Sequence, residues 1–166
     1  MKSSTELAEE IKRYKKFSKK KIDRLTASWL RAIQHEEENP SPEVMAQEAM
    51  MAARIKKFSN HKWEPGETCY KARHSFFEGA LVVGKYPVEH VVDNMLITSR
   101  QGLSFQTTEV AFDDLAAIAI LYFKTKDMSI PDDKLFCNGG KFTRYQFRRY
   151  VREWYFEVKA DLENKQ

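Results

Sequence analysis

Apolar positions along the chain recur mostly at steps of three and four, the spacing that puts side chains on one face of a helix. Leu7, Ile11, Tyr14, Ile22, Leu25, Trp29 and Ile33 follow this period from about Ser4 to Gln34, and the acidic stretch HEEENP closes the segment. A second helix is predicted over SPEVMAQEAMMAARIKKF, with Ser41 as N-cap, Pro42 at the first helical position and Glu43 in the first turn. Val44, Met51, Ile55 and Phe58 form its apolar face, and NHKWEPG after it reads as a loop. A third helix is expected from Glu67 to Val83, with Cys69, Ala72, Phe76, Phe77 and Ala80 in register and Gly84 placed to stop it. The run GALVV within it also suits a strand.

Pro87 opens a fourth predicted helix in which Val88, Val91, Val92, Met95 and Leu96 line up, ending near Gly102. Thr107 or Thr108 caps a fifth, whose Val110, Leu115, Ile118, Ala119 and Tyr122 make it apolar enough to be the buried centre. Thr143 with Gln146 three positions on is a capping box, the clearest local signal in the chain. It starts a last helix with an apolar stripe of Phe147, Val151, Trp154, Val158 and Leu162. The expected fold is all-α: a compact bundle of about six helices, with a minor short β element near residues 79–106. It forms one helical domain over 1–166, and its basic first helix (about 4–34) can serve as an arm.

Composition supports a helical reading. Six glycines and five prolines are too few for the turns of a β sandwich, and 42% apolar residues are too many for a disordered chain. The two cysteines, Cys69 and Cys137, form no CxxC pair, and the first residues contain no apolar leader core. The longest apolar run, Leu115–Phe123, is about half a membrane span. These features point to the cytoplasm and away from the membrane.

The net charge of +4 matters less than its distribution. Lys12, Lys16, Lys19, Lys20 and Arg24 fall on the arc of the first helix opposite its apolar stripe, where they can neutralise phosphates. On the last helix Arg148, Arg149, Arg152 and Lys159 stand off the apolar stripe, with Tyr145 and Phe156 among them. Guanidinium groups fork onto phosphates and base edges, and rings stack on unpaired bases. The same pattern also fits a protein interface, or a helix packed on two sides with its arginines paired to the chain's own carboxylates.

No assembled chemistry is legible. NGGK lacks P-loop spacing, and GxGxxG, GxSxG and HExxH are absent. His74 with Glu78 and His90 with Asp93 share predicted helix faces, but those faces point away from the apolar stripes, which argues against a metal site. Cys137 precedes a helix start beside Lys141, the setting of a reactive thiol, without a histidine near in sequence. A helix-turn-helix over 130–154 would need a first helix squeezed between Pro131 and Cys137. The sequence therefore points to a small basic binding or regulatory protein without cofactor, metal or catalytic residues, contacting nucleic acid. The alternative is an interaction module, an inhibitor or adaptor on an acidic protein surface. An enzyme with an unrecognised site comes third.

Overall fold

The computed structural model describes residues 1–14, 19–75, 78–132 and 142–165. Among them are five helices: α1 Ser4–Tyr14, α2 Lys19–Glu38, α3 Pro42–Lys56, α4 Asp114–Lys124 and α5 Arg144–Asn164. Between α3 and α4 lie four strands, β1 Thr68–Ser75, β2 Ala80–Val92, β3 Met95–Thr98 and β4 Ser104–Gln106, paired antiparallel in the order β1-β2-β3-β4. The chain is thus an α/β fold with a curled sheet, which corrects the expected all-helical bundle of six.

The error lies in residues 67–102. Both helices expected there are strands, because β2 serves two cores in turn. Leu81 and Val83 face a core shared with the helices, whereas Tyr86 and Val88 face the opposite side, inside the curl. The apolar positions therefore change parity around Gly84, and the interrupted period of two mimics steps of three and four. Around the change the strand alternation is plain: Tyr86 and Val88 are buried while Lys85, Pro87 and Glu89 are exposed. Val82, Val83, Val88, Val91, Val92, Ile97 and Thr98 are β-branched, and such side chains favour strands.

Pro87 sits where β2 leaves β1 and takes up β3, next to a register shift between Val88 and His90. A residue without an N–H is tolerated at such a corner. Gly84, read as a helix stop, lies mid-strand because the Tyr86 ring covers it; a Cβ there would stand 2.6 Å from Tyr86 Oη. Asp93 and Asn94 make the tight turn to β3, with Asp93 at φ 54°.

The helix signals fare better. Ser41 Oγ accepts from Val44 N at 3.2 Å, and Thr143 and Gln146 close both halves of the capping box. α4 is capped by Asp113, not by Thr107 or Thr108, with Asp113 Oδ1 accepting from Ala116 N at 2.8 Å. The preceding residues instead lay Ala111 against Tyr70 of β1 through two 2.9 Å backbone bonds. α4 is the buried centre: Leu115–Ala119 and Tyr122 are all inside.

The larger core joins α3, α4, α5 and one face of β1 and β2 around Met51, Ile118, Tyr122, Phe147 and Val151. The smaller one fills the curl with Cys69, Tyr86, Val88, Leu96, Phe105 and Val110. The expected continuous first helix is an antiparallel pair instead. Ser4 at the start of α1 donates its N–H and hydroxyl to Glu36 near the end of α2, at 3.0 and 2.8 Å. Among the described residues, no helix is long and apolar enough to cross a membrane.

Candidate nucleic-acid interface

The two basic faces that the sequence suggests meet different fates. The arginines of α5 turn inward onto the acidic end of α2. Arg152 grips Glu37 with both terminal nitrogens, at 2.9 and 2.8 Å, and Arg148 donates to the Glu37 carbonyl at 3.3 Å. Arg149 pairs with Glu36 and donates to Ser4 Oγ at 2.9 Å. Behind them Tyr122 Oη donates to Glu48 at 2.5 Å, and Lys126 binds the same carboxylate at 2.7 Å. The side of α5 off its apolar stripe is therefore a second packing face, and Arg148, Arg149 and Arg152 are structural.

The electrostatics follow from that burial. Desolvation opposes the Arg152 charge, but the Glu37 carboxylate outweighs it and holds the guanidinium above its ordinary pKa. For Glu36 desolvation is likewise overcome, by the Ser4 amide and hydroxyl and by Arg149, and its carboxyl titrates below the usual range. Burial pushes the Tyr122 phenol up to about 12, reinforced by Glu48. Charges held this firmly are spent on the fold.

The other candidates on α5 are also engaged within the chain. Tyr145 donates to Glu38 at 2.9 Å and lies beneath Arg148, whose guanidinium is 5.8 Å from its ring centroid. Phe156 is half-buried against the larger core and edge-on to Tyr155. Lys159 lies over Phe156, 3.8 Å from Met50 Sδ.

The lysine face stays outside. Lys19, Lys20 and Arg24 are exposed and carry no ion pair among the described residues, while Lys12 touches only Glu9 at 3.5 Å. No side chain of α2 is buried before Ala32, and α1 packs along the helix. Lys16 lies outside the described residues, as do Cys137 and Lys141. Of the histidines weighed for a metal, His74 is buried on β1, edge-on to Phe142 and Phe147, correcting its expected exposure. His90 is exposed on β2.

The sheet creates a feature that the helical reading had no means of assembling. The loop after α3 and the residue before Asp113 bring together Phe58, His61, Trp63 and Phe112. Trp63 and Phe112 stack at 4.8 Å and 11°, Phe58 meets Phe112 at 4.6 Å, and His61 stands edge-on to Trp63 and Phe112. Local bonds hold the loop: His61 N donates to the Phe58 carbonyl at 3.1 Å. Glu67 accepts from Glu64 N and meets His61 Nε2, both at 2.7 Å. These rings line a cavity of about 310 Å³ floored by Ile55, Val110, Ala116 and Ile120. The alternation of cations and rings in KKFSNHKW was the available signal.

A second cleft, of about 340 Å³, adjoins it across Thr108 and Ile120 and holds Lys71, Lys124, Glu109 and Asp127. Burial and the Lys124 charge lower the Lys71 ammonium below its ordinary pKa, against the pull of Glu109. No family model, curated protein or solved structure matches the chain.

Proposed function

We propose that the protein binds nucleic acid through the lysine face of α1 and α2, as a non-catalytic protein of a reducing compartment such as the cytoplasm. The observation that carries this reading is the division of the basic residues. The arginines are paired with Glu36 and Glu37, while Lys19, Lys20 and Arg24 stand exposed without a carboxylate partner among the described residues. Adjacent unpaired ammonium groups repel one another, which an anionic partner relieves with release of counterions. Fluorescence anisotropy of labelled duplex DNA, single-stranded DNA and RNA over a salt series tests it. Binding that falls linearly on a log–log salt plot supports phosphate tracking; no binding at low salt rejects it.

A protein-interaction role is the second reading, favoured by the outer side of α3. Met45 and Met50 are 58% and 46% exposed there, beside exposed Ala46, Ala49, Ala52 and Ala53. Adaptable methionine surfaces serve partner binding. Complexes made this way would survive salt that strips nucleic acid.

A further inference from the structure

We infer that the aromatic cavity between the α3–β1 loop and the start of α4 receives one unpaired base of a single-stranded nucleic acid, with the exposed lysines that neighbour its lining residues in the chain taking the flanking phosphates. This deepens the nucleic-acid reading and rests on it. The Trp63–Phe112 pair is already a parallel stack, and every base has a π face that can extend or join such a platform. At about 310 Å³ the cavity lies at the small end of ligand sites, which run from roughly 300 to 1,000 Å³. It suits one base and leaves the sugar and phosphates outside.

The chain segment that supplies the lining rings also supplies the charge. Lys56, Lys57 and Lys62 flank Phe58, His61 and Trp63 in sequence, are exposed, and carry no ion pair among the described residues. Lys57 already lies over the Phe58 ring, 5.4 Å from its centroid. The adjoining cleft is a poorer phosphate site, since Glu109 and Asp127 balance Lys71 and Lys124 there. The backbone of a bound strand is therefore directed past Lys56, Lys57 and Lys62.

His61 adds a polar contact. Its Nε2 is held against Glu67 at 2.7 Å, which leaves Nδ1 as a polar atom beside the rings for a contact to a base edge. The loop bonds and the capped start of α4 hold these groups in place before any ligand arrives, so little ordering cost accompanies binding.

The test uses the full chain, a short labelled single strand as DNA and as RNA, the matching duplex, and a free nucleoside monophosphate. Single strands of either sugar should quench tryptophan emission, and Trp63→Phe should remove that quench although Trp29 and Trp154 remain. Trp63→Ala should weaken single-strand binding roughly 5- to 150-fold and leave duplex binding unchanged. If that variant proves misfolded by circular dichroism, the surface variant Lys56→Gln/Lys57→Gln/Lys62→Gln carries the test. It should reduce the single-strand salt slope by about 2.

The possible failures are distinguishable. Salt-dependent binding with no Trp63-dependent quench and no loss in either variant overturns the cavity and leaves the α2 lysine face standing. Quenching of Trp63 by the monophosphate, in a protein that binds no strand, overturns the inference together with the broader reading and leaves a cavity for a free nucleotide. Silence in both arms overturns the inference.

Discussion

Arg152 and Glu37 form a two-pronged ion pair in the interior, guanidinium nitrogens 2.9 and 2.8 Å from the two carboxylate oxygens, with side chains only 8% and 2% exposed. The pair ties α5 to the end of α2. Arg148 and Arg149 reach the same residue, so three guanidinium groups depend on one buried carboxylate.

Removing that carboxylate should be costly. Glu37→Gln leaves buried positive charge uncompensated, and breaking such a pair costs about 3–5 kcal/mol. Urea denaturation should show a lower midpoint with little change in slope. A double variant, Glu37→Met/Arg152→Met, should lose less than the two single losses added together, because the Arg152 charge is no longer stranded, although Arg148 and Arg149 still lose their contact with Glu37.

Reversing Arg148, Arg149 and Arg152 to Glu should act on folding. The reversed residues would face Glu36 and Glu37, so the expected outcome is collapse of the thermal melt and loss of helicity by circular dichroism. Full helicity with selective loss of nucleic-acid binding would contradict their structural role.

Reversal of Lys19, Lys20 and Arg24 should do the opposite. These residues are exposed, so stability should change by no more than about 0.5 kcal/mol. Nucleic-acid affinity should fall steeply, with a shallower salt dependence measured by anisotropy.

The pH dependence has two ends. The folded carboxyls of Glu36 and Glu48 lie below their ordinary value of 4.5, through Ser4 and Arg149 for one and Lys126 and Tyr122 for the other, each against desolvation. Their contribution is complete above that value and is lost as pH falls through the lowered folded values. Tyr122 is raised to about 12, so its contribution is complete below 10 and is lost as pH climbs through 12. Denaturant midpoints at graded pH check the acid limb. Phenolate absorbance should show one tyrosine ionising only near 12 or together with alkaline unfolding.

Gly84→Ala should destabilise the sheet by about 1–3 kcal/mol, since its Cβ would meet the Tyr86 ring at 2.6–2.8 Å. That ring is held edge-on to Phe105 and beneath Arg100, which limits its escape. Pairing the change with Tyr86→Ala should remove much of the steric part, as a double-mutant cycle would show.

Local signals in the chain were legible wherever the physics is local. Ser41 and Pro42, and Thr143 with Gln146, act within one turn, and they start α3 and α5 where expected. The density of apolar residues in Leu115–Tyr122 marked the buried helix for the same reason. The acidic HEEE stretch was visible too, but its meaning depended on the arginines lying more than a hundred positions away.

What tertiary structure alone decided was which side of each element is covered. A strand that serves one core and then another loses its simple alternation, so residues 67–102 read as helices until both cores are in view. A helix with a second neighbour turns an outward arginine face into an internal ion-pair seam, because the partner carboxylates on α2 arrive only through the fold. The aromatic cavity follows the same rule: Phe58, His61 and Trp63 come from one loop, and Phe112 joins them only once Ala111 has paired with Tyr70 of β1. The sequence by itself determined the starts of α3 and α5, the buried α4 and the cationic residues of α2. Long-range pairing decided the sheet, the fate of the arginines and the cavity, since burial of charge and stacking of rings depend on neighbours that no local period specifies.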